Sequence, residues 1–151
     1  MEKITQIVEK LKQLNKTVST MESCTSGSLA SAFTNVDGAS EILQFSAITY
    51  SNEFKIKMGV PAKVIDEFGV YSIETAIEMA KNITKFSNSD FGIGVTGKLN
   101  DDLTVYFCIY EKAKNLYYTD IIKVDKKKRI ENKQMIIEAI LKRLSIILED
   151  L

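Results

Sequence analysis

The sequence predicts an α/β fold, namely a three-layer α/β/α sandwich with a mixed, mostly parallel sheet of about five strands. Helix-like and strand-like segments alternate through most of the chain, which favours parallel strands joined by helical crossovers. The last strand-like segments follow one another through short turns, which indicates an antiparallel hairpin. A length of 151 residues with 45% hydrophobic residues fits a single domain, 1–151, with its own core.

The amino-terminal half is predicted from apolar periodicity and from residues that end or begin helices. Helical spacing of apolar residues stops at Asn15, a residue suited to a helix C-terminus. The small residues from Ser23 to Gly27 suit a tight turn from a strand into a helix. The predicted elements are a helix at 4–14, a strand at 17–22, a helix at 29–33, a loop at 35–40 and a strand at 45–50.

The carboxy-terminal half is predicted from capping residues and from strand-like runs. Asn52 and Ser72 are suited to cap helices, and Pro61 and Gly69 are suited to begin and end one. The predicted elements are a helical turn at 52–57, helices at 61–69 and 73–83, strands at 90–96, 103–110 and 116–124, and a final helix at 130–148.

The composition restricts the chemistry. The chain has no histidine, so it has no imidazole for a Ser-His or Cys-His pair, for a metal ligand or for proton transfer. Any acid–base catalysis must therefore use Lys, Tyr, Asp, Glu or Cys. Cys24 and Cys108 are too few for a disulfide framework or a four-ligand zinc site, so we expect reduced thiols in a cytoplasmic protein. We expect no metal and no other cofactor.

Charge and hydropathy restrict the partners. The 20 basic residues balance the 20 acidic ones, which argues against a general nucleic-acid binder because phosphate-backbone affinity needs a basic excess. The sequence contains no run of about 18 uncharged apolar residues, and its N-terminus lacks the apolar core of a signal peptide. We therefore expect neither a nucleic-acid nor a membrane partner.

Three segments are predicted to lie beyond the carboxyl ends of parallel strands, where open α/β sheets bind ligands. They are 22–27, 50–55 and 96–98. The third ends the glycine-rich run 92–97, which has no helix after it and so is not a dinucleotide-binding fingerprint. Its glycines are predicted to let a ligand or a neighbouring strand approach closely.

The first segment contains the turn Ser23–Gly27, which would aim several backbone N–H groups at one point and so suits an oxyanion. It could hold a phosphate, or it could be an oxyanion hole beside a Ser23 nucleophile. The alternative is that Ser23, Thr25 and Ser26 only cap a helix and that Cys24 is a core residue.

The second segment places a phenol and an ammonium five residues apart, at Tyr50 and Lys55. In a chain without histidine, a desolvated lysine is the best base for a serine, and a tyrosine can relay the proton. The alternative is an exposed lysine and a packed tyrosine. The basic cluster 125–129, with Lys133 one turn later, is either a solvated helix start or a clamp for a substrate phosphate.

The chain contains, in order, Glu22-Ser23-Cys24-Thr25-Ser26-Gly27, Asp37-Gly38-Ala39-Ser40, Thr49-Tyr50-Ser51-Asn52-Glu53-Phe54-Lys55 with Met58-Gly59-Val60, Gly69-Val70-Tyr71-Ser72, and Val95-Thr96-Gly97. In order and spacing these motifs resemble the C-terminal domain of the competence/damage-inducible CinA proteins. The resemblance covers about residues 5 to 97 and, loosely, the final helix. That family includes amidohydrolases that convert nicotinamide mononucleotide to nicotinate mononucleotide and ammonia in pyridine-nucleotide salvage.

The resemblance implies a metal-free serine hydrolase with a small-molecule nucleotide substrate, and we expect a homodimer. Its nucleophile would be Ser23, with Lys55 and Tyr50 as activating partners. Backbone N–H groups of Thr25 to Gly27 would hold the oxyanion, and Thr96, Gly97 and Arg129 would face the ribose phosphate. The implied substrate-binding residues are Glu22, Thr25, Ser26, Gly27, Thr96, Gly97 and Arg129.

The chain departs from the family's pattern in several places. Ser26 and Ser46 stand where glycine is usual, Lys133 stands in place of a second arginine, and 97–104 joins two strands where the family has a longer loop. Two alternatives to an active amidohydrolase therefore stay open. One is a catalytically silent nucleotide-binding or regulatory module, and the other is a structural subunit that oligomerises through its sheet.

Overall fold

A computed structural model describes residues 2–125 and 128–151. The elements in these ranges are α1 (Glu2–Leu14), β1 (Val18–Glu22), α2 (Ser28–Thr34), a 3₁₀ turn (Ala39–Glu41), β2 (Ser46–Ile48), α3 (Asn52–Lys57), α4 (Ala62–Phe68), α5 (Ile73–Ser87), β3 (Phe91–Gly97), β4 (Thr104–Glu111), β5 (Leu116–Lys123) and α6 (Arg129–Glu149). The predicted order of helices and strands is confirmed. The 3₁₀ turn is an addition, because it begins inside the segment predicted to be a loop.

The five strands form one mixed sheet in the order β2-β1-β3-β4-β5. The pairs β1–β2 and β1–β3 are parallel, whereas β3–β4 and β4–β5 are antiparallel. Four of the five strands therefore run in one direction, and β4 alone runs in the other. Because β2, β1 and β3 are neighbours and parallel, the three segments that follow them meet at one edge of the sheet.

One face of the sheet is covered by α5, and two glycines of β3 allow this helix to approach closely. A Cβ atom at Gly92 would lie 2.4 Å from the carbonyl oxygen of Ala80, and one at Gly94 would lie 2.4 Å from that of Ala76. The prediction of a ligand or strand beside these glycines is therefore wrong, since a helix backbone occupies the space. Gly97 does meet a neighbouring strand, at the Thr104 carbonyl.

The other face is covered by α1, α2 and α6, and most of the apolar core lies between them and the sheet. Its fully buried members include Val8, Leu11, Leu29, Phe33, Ile93, Phe107, Ile136, Ile140 and Leu144. Burial of such side chains contributes about 1.5–3 kcal/mol each before conformational entropy is counted. This packing holds the first turn of α6 beside the turn that joins β1 to α2.

Serine caps fix the starts of α3 and α5. The Ser51 hydroxyl accepts the Phe54 N–H at 3.2 Å, so Ser51 is the N-cap of α3 and Asn52, predicted as the cap, is its first helical residue. Ser72 caps α5 as predicted, by accepting the Thr75 N–H. The Ser51 cap sets the position of Lys55 one helical turn later.

Candidate active site

The turn between β1 and α2 is built around the carboxylate of Glu22, which is fully buried. Its two oxygens accept five hydrogen bonds at 2.7 to 3.1 Å, from the hydroxyls of Thr20 and Thr25 and from the N–H groups of Gly27, Leu29 and Ala30. Charge-assisted hydrogen bonds of this kind are stronger than neutral ones. The Glu22 and Thr25 side chains are buried and engaged with each other, so a substrate contact at Thr25 would use its backbone N–H. Glu22 instead shapes the turn.

Some backbone N–H groups of the turn donate to acceptors within the turn, and others do not. The Ser26 N–H donates to the Ser23 carbonyl at 3.0 Å, and the Gly27 N–H donates to Glu22. The prediction that these two groups hold an oxyanion is therefore wrong. Within the described ranges the N–H groups of Cys24 and Thr25 have no backbone acceptor, and the Cys24 N–H donates to its own sulfur. The residue after a nucleophile commonly supplies such a donor at strand–turn–helix elbows.

Ser23 and Lys55 are in direct contact, although they are 32 residues apart in the chain. Lys55 Nζ lies 3.1 Å from Ser23 Oγ and donates a hydrogen bond to the Thr49 carbonyl at 2.7 Å. The two side chains are only 6% and 1% exposed, respectively. The alternative of an exposed lysine is therefore wrong. A buried amine within hydrogen-bond distance of a buried hydroxyl is the geometry of a base beside a nucleophile.

Burial changes the proton affinity of the neighbouring groups. It lowers the pKa of Lys55 from 10.5 to about 8, because an ammonium is poorly solvated there. At pH 7 about a tenth of Lys55 is then neutral and able to accept a proton. Burial also raises the pKa of the Cys24 thiol to about 12, so Cys24 is a thiol at neutral pH. Of these adjacent side chains, Ser23 is the nucleophile that the lysine can activate.

A cavity of about 180 Å³ opens in front of Ser23 and is lined by Ser23, Cys24, Tyr50, Tyr71, Gly97, Asn100 and Arg129. Tyr50 lies at its mouth, 63% exposed, with its hydroxyl 3.5 Å from Arg129 Nη2. It makes no hydrogen bond to the serine–lysine pair. Tyr71 and Asn100 are additional lining residues that the sequence did not single out. Membership of Tyr71 in the motif 69–72 was the available signal for it.

The remaining predicted residues divide between the cavity and the interior. Gly97 lines the cavity, but Thr96 is fully buried and its hydroxyl donates to the Val70 carbonyl at 3.1 Å. The Thr96 side chain is therefore engaged within the fold and does not line this cavity. Lys133 Nζ donates to the Ser26 hydroxyl at 2.9 Å. Lys126 and Lys127 of the predicted basic cluster lie outside the described residues.

A second, larger cavity of about 490 Å³ lies on the α2 side of the Lys133–Ser26 contact. It is lined by Ser26, Gly27, Ser28, Ser31, Ala32, Asn35, Ile130, Lys133, Gln134 and Ile137. The turn after β1 and the first turns of α6 thus border both cavities. Together they provide more room than the 180 Å³ in front of Ser23, which is below the usual size of a small-molecule site.

The described part of the chain has neither a cluster of metal-ligating side chains nor a helix suited to span a bilayer. Residues 2–125 and 128–151 contain no group of three or more His, Cys, Asp or Glu side chains that could hold a metal ion. In the same ranges no helix is long and apolar enough to cross a membrane.

The fold and the site define a class, an α/β/α sandwich with a buried serine–lysine pair at the carboxyl ends of parallel strands. Within that class, the chain belongs to the CinA C-terminal domain family, whose model matches residues 1–148. Its sequence is similar to a putative competence-damage inducible protein of Thermoanaerobacter sp. (strain X514), at 44% identity over 98 residues. It is also similar to a CinA-like protein of Kosmotoga olearia, at 45% identity over 92 residues.

These matches cover 64% and 60% of this chain but only 24% and 22% of the relatives, so the chain spans about a quarter of their length. Among solved structures, the competence/damage inducible protein CihA from Agrobacterium tumefaciens matches with a TM-score of 0.91 at 27% identity, over 98% of this chain and 94% of that one. A CinA superfamily protein from Klebsiella pneumoniae matches with a TM-score of 0.93 at 19% identity, over 99% and 98%. The second likeness concerns the fold alone.

Proposed function

We propose that this protein is an amidohydrolase that converts nicotinamide mononucleotide to nicotinate mononucleotide and ammonia, in pyridine-nucleotide salvage. The observation that carries the proposal is the contact of 3.1 Å between Ser23 Oγ and the nitrogen of a buried lysine whose pKa is lowered to about 8. A neutral amine in that position can accept the serine proton at neutral pH. The substrate class is the one that the family resemblance implies.

The reaction would run in two halves. Ser23 Oγ attacks the carboxamide carbon as its proton passes to Lys55, and the N–H groups of Cys24 and Thr25 receive the developing oxyanion. The C–N bond then breaks as the proton held by Lys55 passes through Tyr50 to the leaving nitrogen, so that ammonia departs and Lys55 is neutral again. Water next attacks the acyl-serine ester, with Lys55 again accepting a proton. The acid is released and the Ser23 hydroxyl is restored.

The size of the cavity suggests how the nucleotide lies. A volume of about 180 Å³ suits a pyridine ring with its carboxamide, so the ribose phosphate has to extend beyond it. Arg129, which lines this cavity, and Lys133, which lines the larger one, stand on the first turns of α6. Two cations at the end of the site suit a phosphate dianion. Gly97 leaves room for the ring beside the end of β3.

The test is ammonia release from nicotinamide mononucleotide by the purified protein. The wild type is expected to release ammonia with a kcat/KM that rises about fivefold from pH 7 to pH 8, as the neutral fraction of Lys55 grows. Ser23→Ala is expected to abolish release, whereas Ser40→Ala, an exposed serine away from the cavity, is expected to leave it unchanged. Release that survives Ser23→Ala would reject the serine mechanism.

A second candidate is a nucleotide-binding module without catalysis. The observation that favours it is the short connection between β3 and β4, of which Asn100 alone lines the cavity in front of Ser23. Calorimetric binding of nicotinamide mononucleotide without ammonia release would support this candidate. The homodimer stays a prediction, and sedimentation of the purified chain would test it.

A further inference from the structure

We propose that Thr49 is a positioning residue for Lys55. When Lys55 is protonated, the Thr49 hydroxyl accepts a hydrogen bond from the third N–H of the ammonium. The kinetic part of this inference rests on the proposed function, but the contact itself does not. Thr49 lies at the end of β2 and is 1% exposed. Its hydroxyl oxygen is fully buried and has no hydrogen-bond partner within the described ranges.

The backbone N–H and the carbonyl of Thr49 are both hydrogen-bonded to residues of the site. Its N–H donates to the Glu22 carbonyl at 2.8 Å, and its own carbonyl accepts the Lys55 ammonium at 2.7 Å. The hydroxyl and the carbonyl belong to one residue, and the carbonyl is in direct contact with Nζ. The proposed contact forms by rotation about the last bonds of Lys55 or about χ1 of Thr49, which are the free torsions of the two side chains.

The number of N–H bonds on Lys55 indicates a role for the Thr49 hydroxyl. A neutral amine has two N–H bonds and one lone pair, which faces Ser23, whereas an ammonium has three N–H bonds. Once Lys55 has taken the serine proton, Ser23 Oγ and the Thr49 carbonyl accept two of them. In the part of the chain that the structure describes, the third has no acceptor. The buried Thr49 hydroxyl is the unengaged acceptor closest in the chain to those contacts.

The energetics favour a functional explanation of this hydroxyl. A buried hydroxyl without a partner destabilises a fold, and valine has nearly the same shape without that cost. If the Thr49 side chain served packing alone, valine would therefore give a more stable fold. A threonine kept for the protonated lysine has an occupied hydroxyl whenever Lys55 carries its third N–H bond.

Other groups around Lys55 also influence its protonation. The Cys24 thiol faces it from the turn, and Glu22 on β1 and Lys133 on α6 act on that thiol in turn. On α3, Glu53 pairs with Lys57 at 3.1 Å, outside the buried site. None of these groups changes when Thr49 is replaced, so a change in Lys55 after that replacement reports on the hydroxyl.

The experiment titrates Lys55 directly, by following the ¹³Cε resonances of labelled lysines against pH. Thr49→Val is expected to lower the pKa of Lys55 by about one pH unit, a tenfold change in its protonation constant, since the ammonium loses an acceptor. Thr49→Ser is expected to restore the wild-type value. Thr84→Val, which changes a buried threonine on α5, is expected to leave it unaltered. If Thr49→Val fails to fold, Thr49→Ala gives the same measurement.

Activity and stability give two further readouts. Thr49→Val is expected to lower kcat for ammonia release about tenfold at pH 9, where Lys55 is already neutral, while it unfolds at or above the wild-type temperature. A wild type that releases no ammonia would reject the proposed function, and the titration would still decide the role of Thr49. An unchanged Lys55 pKa in Thr49→Val, or a Thr49→Ser that behaves as valine does, would overturn the inference.

Discussion

Replacement of Lys55 by methionine is expected to remove activity and, at pH 7, to stabilise the fold. Methionine matches the length of the lysine stem but carries no charge. The pKa of Lys55 is about 8 in the folded protein, against an ordinary value of 10.5. Each pH unit between the two corresponds to about 1.4 kcal/mol, so the buried ammonium costs the folded protein about 3 kcal/mol below pH 8.

The replacement also removes useful contacts. Without Nζ, the buried Thr49 carbonyl loses its 2.7 Å hydrogen bond, at a cost of about 1–2 kcal/mol. The net gain at pH 7 is then about 1–2 kcal/mol in the free energy of unfolding. Between pH 8 and pH 10.5 the folded lysine is neutral while the unfolded one still binds a proton, so wild-type stability rises with pH. The methionine variant gains nothing over this range, and the order of stability should reverse by about pH 10.

Urea unfolding at pH 7 and at pH 10 would measure both free energies. The chain has no tryptophan, so circular dichroism is the suitable signal. Lys57→Met is the matched control, because Lys57 lies on the same helix with a side chain 59% exposed. A difference between wild type and Lys55→Met that stays constant with pH would refute the reasoning, since it would show that Lys55 titrates alike in the folded and unfolded chains.

Two further predictions concern the turn and the nucleotide's phosphate. Glu22→Gln is expected to lower the free energy of unfolding by about 3 kcal/mol. The two carboxylate oxygens accept five hydrogen bonds, and the amide NH₂ that replaces one oxygen is a donor facing donors. Glu111→Gln, a buried glutamate that accepts one hydrogen bond, from Tyr118, should cost less in the same urea titration, and equal losses would contradict the role of Glu22. Lys133→Met should raise KM for the mononucleotide about tenfold and leave hydrolysis of the unphosphorylated riboside unchanged. Lys114→Met is its control, and an equal effect on both substrates would argue against a phosphate contact.

The parts of the fold that depend on local pattern were predictable from the sequence. Apolar periodicity and capping residues predicted the order of all the helices and strands. The expected parallel strands placed the segments 22–27 and 50–55 at one end of the sheet, and the resemblance to the CinA family implied the pairing of Ser23 with Lys55. The 3₁₀ turn at 39–41 was not predicted. So short an element has no apolar periodicity that would distinguish it from a loop.

The parts that depend on tertiary contact were not predictable. An acidic residue at a strand end suggests a ligand contact, and only the packing of the start of α2 onto Glu22 shows that its carboxylate is fully used. The resemblance implied that Thr96 faces the ribose phosphate, and only the structure shows that its hydroxyl donates to the Val70 carbonyl. Lys133 and Ser26 are 107 residues apart in the chain, beyond the reach of any local pattern.

The contact between Ser26 and Lys133 connects two of the departures from the family's pattern. Ser26 has φ 44°, in the left-handed region, where a side chain costs about 1 kcal/mol more than glycine. In this chain the serine hydroxyl accepts the Lys133 ammonium at 2.9 Å, which offsets part of that cost. The Ser26 side chain is therefore engaged with α6, and the Ser23–Lys55 contact beside it is intact. Serine in place of glycine is thus compatible with an active pair, and a case for a silent module has to depend on the short loop between β3 and β4.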